Sequence, residues 1–213
     1  MKKSSLAPIM GIDRLRMGTD GNGITSLVAF YGCPLQCSFC LNPQCHRELT
    51  TVKPSQPDEV YNTIAIDELY YLATGGGVTF GGGEPLLYSD YIICVLELGA
   101  KKWNVTIETS LNVPFEQFEA LLPYINEMIV DIKDMNPHIY RLYTQSNNQI
   151  VIDNLKRLAD GGYADNVTIR IPLIKGYNTD SDRLSSKNFL ERLGYSTFDL
   201  YEYKTDFSHD RKR

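Results

Sequence analysis

The chain is 213 residues long, 43% hydrophobic and 22% charged, a balance that excludes disorder, collagen and coiled coil and suits one globular domain burying roughly 70% of its unfolded surface. Its 21 Lys and Arg against 26 Asp and Glu leave a net charge of −5, so no general field draws nucleic acid or anionic lipid to it. No run approaches the roughly 18 apolar residues of a membrane span, and the first residues lack a signal-peptide core, which places the protein in the cytoplasm. After a lead-in over residues 1–18 that reads as dispensable, β-branched and aromatic runs predict strands at 26–32, 77–82, 104–110, 127–133, 166–174 and 198–204. Helical periodicity alternates with them at 57–74, 89–101, 114–125, 148–161 and 180–193. Strand then helix, repeated, means parallel strands, and six units are too few to close the usual eight-stranded ring. The expected fold class is therefore α/β, a partial (β/α)6 barrel forming one domain over residues 1–213, with its core at about 18–204 and a charged tail at 205–213.

Ligands gather at the C-terminal ends of such strands, and the marked residues fall there. Cys33 follows the first strand, the run Gly81-Gly-Gly-Glu-Pro the second, Glu108 and Thr109 end the third, Asp131 and Lys133 the fourth, and residues 172–176 the fifth. Three of the five cysteines, Cys33, Cys37 and Cys40, lie within eight residues, spaced Cys-x3-Cys-x2-Cys. Clustered thiols in an unsecreted protein point to a metal or redox site rather than to disulfides. Thiolates on so short a loop can grip three corners of a [4Fe–4S] cube, leaving one iron open for chemistry. Structural zinc is the competing reading; it asks for four closed ligands, and only Cys45 and His46 stand near enough in sequence to complete a set. Cys45 reads first as an ordinary small residue that Pro43 and Gln44 carry away from the cube, with a redox-sensitive thiol or a fourth iron ligand as the other readings. Cys94, in an apolar helical stretch, reads as core packing.

At the three-cysteine loop the sequence resembles the radical S-adenosylmethionine superfamily, and within it the glycyl-radical-enzyme activating enzymes, of which pyruvate formate-lyase activating enzyme is the best known. Further stretches agree in order: Asp20-Gly-Asn-Gly-Ile, Val78-Thr-Phe-Gly-Gly-Gly-Glu-Pro-Leu, Asp131-Ile-Lys-Asp-Met-Asn-Pro, Asn154-Leu-Lys-Arg-Leu and Arg170-Ile-Pro-Leu-Ile-Lys-Gly-Tyr-Asn, so the likeness spans roughly residues 18–204. The resemblance implies a [4Fe–4S] cluster on Cys33, Cys37 and Cys40 and S-adenosylmethionine on its open iron. One electron releases a 5′-deoxyadenosyl radical, which takes a hydrogen atom from a backbone glycine of a partner enzyme under anaerobic conditions. No side chain is assigned a chemical step, because the cofactors supply it.

By the same resemblance Gly82, Gly83 and Glu84 bind the methionine amino group, Asn42 lies near the cofactor, Glu108 and Thr109 stand beside the ribose and amino group, Lys133 meets the methionine carboxylate, and Arg170 lines the pocket. Glu108, Thr109 and Asp131 are also a candidate monovalent-cation site. Glycines at a strand end make independent sense, since without Cβ atoms the backbone can approach a ligand closely. There are departures: Tyr140 stands where the family often has His, Thr144 is kept but Gln145 replaces the glycine of the usual Thr-Gly, Gly81 stands where Ser is frequent, Thr25 where Arg is often found, and Lys204 where a His packs near adenine. The 15 residues between Cys45 and Tyr61 leave no room for the ferredoxin-like insert of many activases, so a single cluster is expected. A glycyl-radical enzyme is the expected partner and a flavodoxin or ferredoxin the expected electron donor. A radical maturase or mutase acting on a peptide or small molecule is the alternative, because a shared scaffold leaves the substrate open.

Overall fold

The computed structural model describes residues 6–18, 20–100 and 102–203. Its centre is one seven-stranded sheet whose spatial order follows the chain: β1 (Ile9–Met17), β2 (Ile24–Phe30), β3 (Gly77–Gly82), β4 (Asn104–Thr109), β5 (Glu127–Asp131), β6 (Val167–Leu173) and β7 (Thr197–Glu202). β2 to β7 are the six parallel strands of an open, partial barrel, and β1 is added antiparallel to β2. Six α-helices stand between the parallel strands: α1 (Pro57–Ile64), α2 (Glu68–Thr74), α3 (Ser89–Glu97), α4 (Pro137–Thr144), α5 (Gln149–Asp160) and α6 (Asp180–Arg192). Among the described residues no helix is long and apolar enough to cross a membrane.

Period-two alternation divides each parallel strand between two environments. Val28, Phe30, Val78, Phe80, Ile107, Val130, Ile169 and Ile171 are buried in the apolar core with helical residues such as Ile64, Ile92, Leu155 and Leu190. The alternate positions are polar on the central strands: Thr79, Thr106, Glu108, Asp131, Thr168 and Arg170. A sheet covered by helices on one face only leaves that polar face to whatever occupies the barrel mouth.

Three expectations need correction. The lead-in is not dispensable: residues 9–17 form β1, and Arg14 makes a double hydrogen bond to the buried carboxylate of Asp67, Nε–Oδ2 2.6 Å and Nη2–Oδ1 2.7 Å, tying that strand to the turn before α2. Its burial does not alternate cleanly, because the register slips between Asp13 and Arg16, where Leu15 takes φ +58°. The segment 114–125 is two 3₁₀ turns, Phe115–Gln117 and Glu119–Tyr124, instead of an α-helix. Pro123 has no N–H for an α-helical bond, while Phe118, Leu121 and Leu122 still reach the core. The third correction is α4, a helix within 134–147 that the apolar pattern missed. Its signal is local: Asn136 caps the helix by accepting from His138 N at 2.9 Å, and Pro137 occupies the first turn. Lys204 and the tail at 205–213 lie outside the described residues.

Candidate active site

The cysteine loop leaves β2 at Gly32 and is pinned from three sides. Leu35, between the first two thiols, is buried in the core. From below, α4 ends with carbonyl groups that its own helix cannot satisfy, and the loop supplies the donors: Gln36 N to Thr144 O at 2.9 Å and Ser38 N to Tyr143 O at 3.0 Å. From the β6 side, Tyr177 Oη donates to Ser38 Oγ at 2.7 Å, and the Phe39 ring packs edge-on against Tyr177. The third anchor is Asn42, whose Nδ2 donates to Gly82 O at 3.1 Å and joins the loop to the end of β3. Cys33, Cys37 and Cys40 are all half-buried and unpaired as disulfides. Burial pushes the Cys33 thiol up to about 12 and raises Cys37, so a metal that binds them must displace protons.

Pro43 and Gln44 do not carry Cys45 away. They turn through the 3₁₀ segment Pro43–His46, in which Cys45 N donates to Asn42 O at 2.9 Å and Cys45 O accepts from Gly32 N at 2.8 Å. The buried Cys45 thiol consequently donates to Cys40, lowering the Cys40 thiol from its ordinary value and raising its own. Cys94 is half-buried on α3 and lies apart from the loop.

The glycine run sits across from the loop. Gly83 N donates to Phe30 O at 2.9 Å and Glu84 N to Gly32 O at 2.8 Å, so the two strand ends are laced together. A Cβ on Gly83 would stand 2.2 Å from Gly32 O, and Gly82 has φ +94°, which accounts for glycine at both positions. The Glu84 side chain is wholly buried. It accepts from Thr109 Oγ1 at 2.6 Å, Ser110 Oγ at 2.6 Å, Ser110 N at 3.0 Å and Leu86 N at 3.3 Å. Burial raises its carboxyl while these donors oppose the shift. In this arrangement Glu84 and Thr109 brace the ends of β3 and β4 against each other.

The barrel mouth is charged. Arg170 pairs with Glu108 and reaches Asp199 at 3.5 Å, and Lys133 Nζ lies 3.0 Å from Asp131 Oδ2. Burial by itself would strip the Lys133 proton, but Asp131 together with the neighbouring Tyr201, Cys37 and Tyr203 outweighs it and holds the ammonium firmly charged. Burial, followed by repulsion from Asp131, raises the Glu108 carboxyl against the pull of Arg170. Each carboxylate of the candidate cation site therefore already has a side-chain cation beside it. The other oxygen of Asp131, Oδ1, is buried with no hydrogen-bond partner, an acceptor left for a ligand donor. Tyr140 is buried, with Asn112 Nδ2 donating to its Oη at 2.9 Å, and Thr144 Oγ1 donates to Tyr140 O at 2.7 Å. Gln145 takes φ +59° at the end of α4, where a glycine would rest without strain. His138 is exposed.

The structure thus brings Cys33, Cys37, Cys40, Asn42, Gly82, Gly83, Glu84, Glu108, Thr109, Asp131, Lys133 and Arg170 to one end of the sheet. Sequence reasoning missed Ser110, the neighbour of Thr109 that shares Glu84, and the two α4 carbonyls. The former had a signal in its position at a strand end; the latter act through the backbone and carry none.

Residues 27–188 match the family model described as the radical SAM superfamily. The chain belongs to that superfamily. As a radical SAM protein it uses a [4Fe–4S] cluster and S-adenosylmethionine, and its own residues fit both: three loop thiols as soft donors, a glycine cradle closed to any Cβ, and an orphaned buried acceptor. Among curated relatives, the (2S)-3-sulfopropanediol dehydratase activating enzyme of Klebsiella oxytoca is 28% identical over 247 residues, covering 87% of this chain and 77% of that protein. Pyruvate formate-lyase 2-activating enzyme of Escherichia coli is 26% identical, covering 86% and 72%. The trans-4-hydroxy-L-proline dehydratase activating enzyme of Clostridioides difficile is 27% identical, covering 82% and 76%. The first alignment is longer than this whole chain, so that relative carries segments with no counterpart in this radical SAM protein. Streptococcus suis SuiB bound to S-adenosylmethionine shares the fold at a TM-score of 0.61 and 16% identity, over 84% of this chain and 38% of SuiB.

Proposed function

We propose that this radical SAM enzyme installs a glycyl radical in a partner enzyme. The observation that carries the reading is the assembly of one electron-transfer and ligand-binding end of the sheet in a chain whose curated relatives are activating enzymes. When bound, the cluster and S-adenosylmethionine supply a carbon-centred radical able to remove a hydrogen atom from a glycine Cα.

The chain's own residues do the holding and the positioning. Cys33, Cys37 and Cys40 give up their protons and hold the cluster, with Cys33 and Cys37 the more reluctant because they are more deeply buried. Asn42, by gripping Gly82 O, sets the distance between cluster loop and glycine cradle. Gly82 and Gly83 offer backbone to the methionine ammonium. Glu84 acts as a positioning residue through its bonds to Thr109 and Ser110. Lys133, kept cationic by Asp131, suits the methionine carboxylate, and Asp131 Oδ1 accepts a ligand N–H or O–H. Glu108 and Arg170 line the floor as a neutral pair. A glycine-bearing loop enters over the polar mouth, which no strand among the described residues closes, and a flavodoxin or ferredoxin delivers the electron in the cytoplasm.

The test is anaerobic reconstitution. About four iron per chain are expected, with 5′-deoxyadenosine released on reduction and a glycine-centred electron paramagnetic resonance signal in a glycyl-radical enzyme of the same host. Cofactor cleavage with no such signal in any of the host's glycyl-radical enzymes would overturn the activase reading.

A further inference from the structure

Cys45 and His46 have no part in the assignments above, yet they stand against one of the cluster thiols. A sulfur of Cys40, a sulfur of Cys45 and a ring nitrogen of His46 all lie within 4.8 Å of one another. We propose that Cys40, Cys45 and His46 form a second, mononuclear site for a thiophilic divalent cation such as zinc, which the cluster-free chain binds and which competes with the iron–sulfur cluster for Cys40.

The argument is geometric. Ligand atoms around a tetrahedral zinc with 2.3 Å Zn–S bonds are about 3.8 Å apart, so closing these three donors onto one ion takes shifts of about an ångström. The site is preshaped by backbone bonds: Cys45 is fixed through its N–H to Asn42 O and its carbonyl to Gly32 N. It is buried while His46, the next residue, is exposed and free to turn its ring toward the sulfurs. Two thiolates and a neutral imidazole balance a doubly charged ion, and sulfur with imidazole selects zinc over magnesium or calcium. With three protein donors in the group, the fourth position falls to water, which makes the site weaker than a closed structural zinc. One sulfur cannot serve both sets, so zinc on Cys40 leaves Cys33 and Cys37 two-thirds of a cluster site. This last step rests on the assignment of Cys40 to the cluster; the existence of the mononuclear site does not.

The full-length chain, stripped of iron and kept reduced, is titrated with Co2+ as a spectroscopic probe and then with Zn2+. About one ion per chain is expected, with a tetrahedral thiolate-to-cobalt spectrum that zinc erases. His46→Ala and Cys45→Ser weaken zinc at least about tenfold, whereas Cys33→Ser leaves it within about twofold. His46 is exposed, so His46→Ala keeps the test informative if Cys45→Ser folds poorly. One equivalent of zinc added before iron and sulfide lowers cluster loading of the unsubstituted chain and not of His46→Ala. Zinc binding that depends on Cys33 as strongly as on Cys45, or no retained zinc, overturns the proposal. A chain that binds zinc through Cys45 and His46 but assembles no cluster in any variant supports the mononuclear site and overturns the cluster assignment instead.

Discussion

Replacing Gly83 by alanine tests whether the glycine run is required by the packing of two strand ends. The new methyl would lie 2.2 Å from Gly32 O, 2.9 Å from Phe30 O and 3.0 Å from Gly32 C, all of them backbone atoms. None can rotate aside, so the cradle must part from the cysteine loop, and the bond from Glu84 N to Gly32 O is the first to lengthen. Overpacking costs about 1–3 kcal/mol and a lost backbone hydrogen bond about 1 more, which makes about 2–4 kcal/mol in all. For a chain of this size that is a fall in Tm of about 4–16 °C, read by thermal melting of the cluster-free protein. Gly81→Ala is the internal control, because its methyl would meet the Glu108 side chain at 3.2 Å and Leu27 Cδ1 at 3.4 Å, neighbours that can give way. Since Gly32 adjoins Cys33, Gly83→Ala should also lower cluster loading, while Gly81→Ala should not. Equal melting temperatures for the two variants would refute the reasoning.

Cys37→Ala should abolish both cluster and cofactor cleavage, while Cys94→Ala leaves iron content unchanged by metal analysis; iron retained in the first would break the ligand assignment. Gln145→Gly relieves a left-handed residue at the end of α4 and should stabilise by about 1 kcal/mol, raising Tm by about 2–4 °C. Asn154→Leu removes two buried donors, to Leu111 O at 2.9 Å and Val113 O at 2.7 Å; stranding both acceptors should cost about 2–4 kcal/mol in a denaturant titration. Glu108, raised from 4.5, binds its proton more tightly folded than unfolded, so its ionisation costs stability as pH rises past 4.5. Arg170→Met deepens that cost, and the gap in Tm between the two proteins should widen from pH 4 to pH 8; a gap that is constant or widest in acid would contradict the pairing.

Local chemistry was legible wherever it is written in side chains at short spacing. The thiols of Cys33, Cys37 and Cys40, the glycines before Glu84, and the strand ends at Glu108 and Asp131 could be placed at one end of a parallel sheet from alternation and turn residues alone. The stretch at 114–125 was harder, because apolar residues at helical spacing also fit short 3₁₀ turns once Pro123 removes a donor; the single helix expected over 57–74 is interrupted by the 3₁₀ turn Ala65–Asp67. The edge strand Ile9–Met17 escaped notice because a bulge at Leu15 breaks the period on which strand recognition depends.

What the amino-acid order determined by itself is the donor set and its topological address: which atoms can bind iron, and that a strand–helix repeat carries them to the same rim. Tertiary structure alone decided how that rim is held. The carbonyls of Tyr143 and Thr144 meet a loop more than 100 residues away, Glu84 is consumed by Thr109 and Ser110, and Cys45 turns back onto Cys40. Backbone acceptors have no sequence signature, and a side chain's partner depends on which segments fold against it, so these contacts become visible only when the chain has closed on itself.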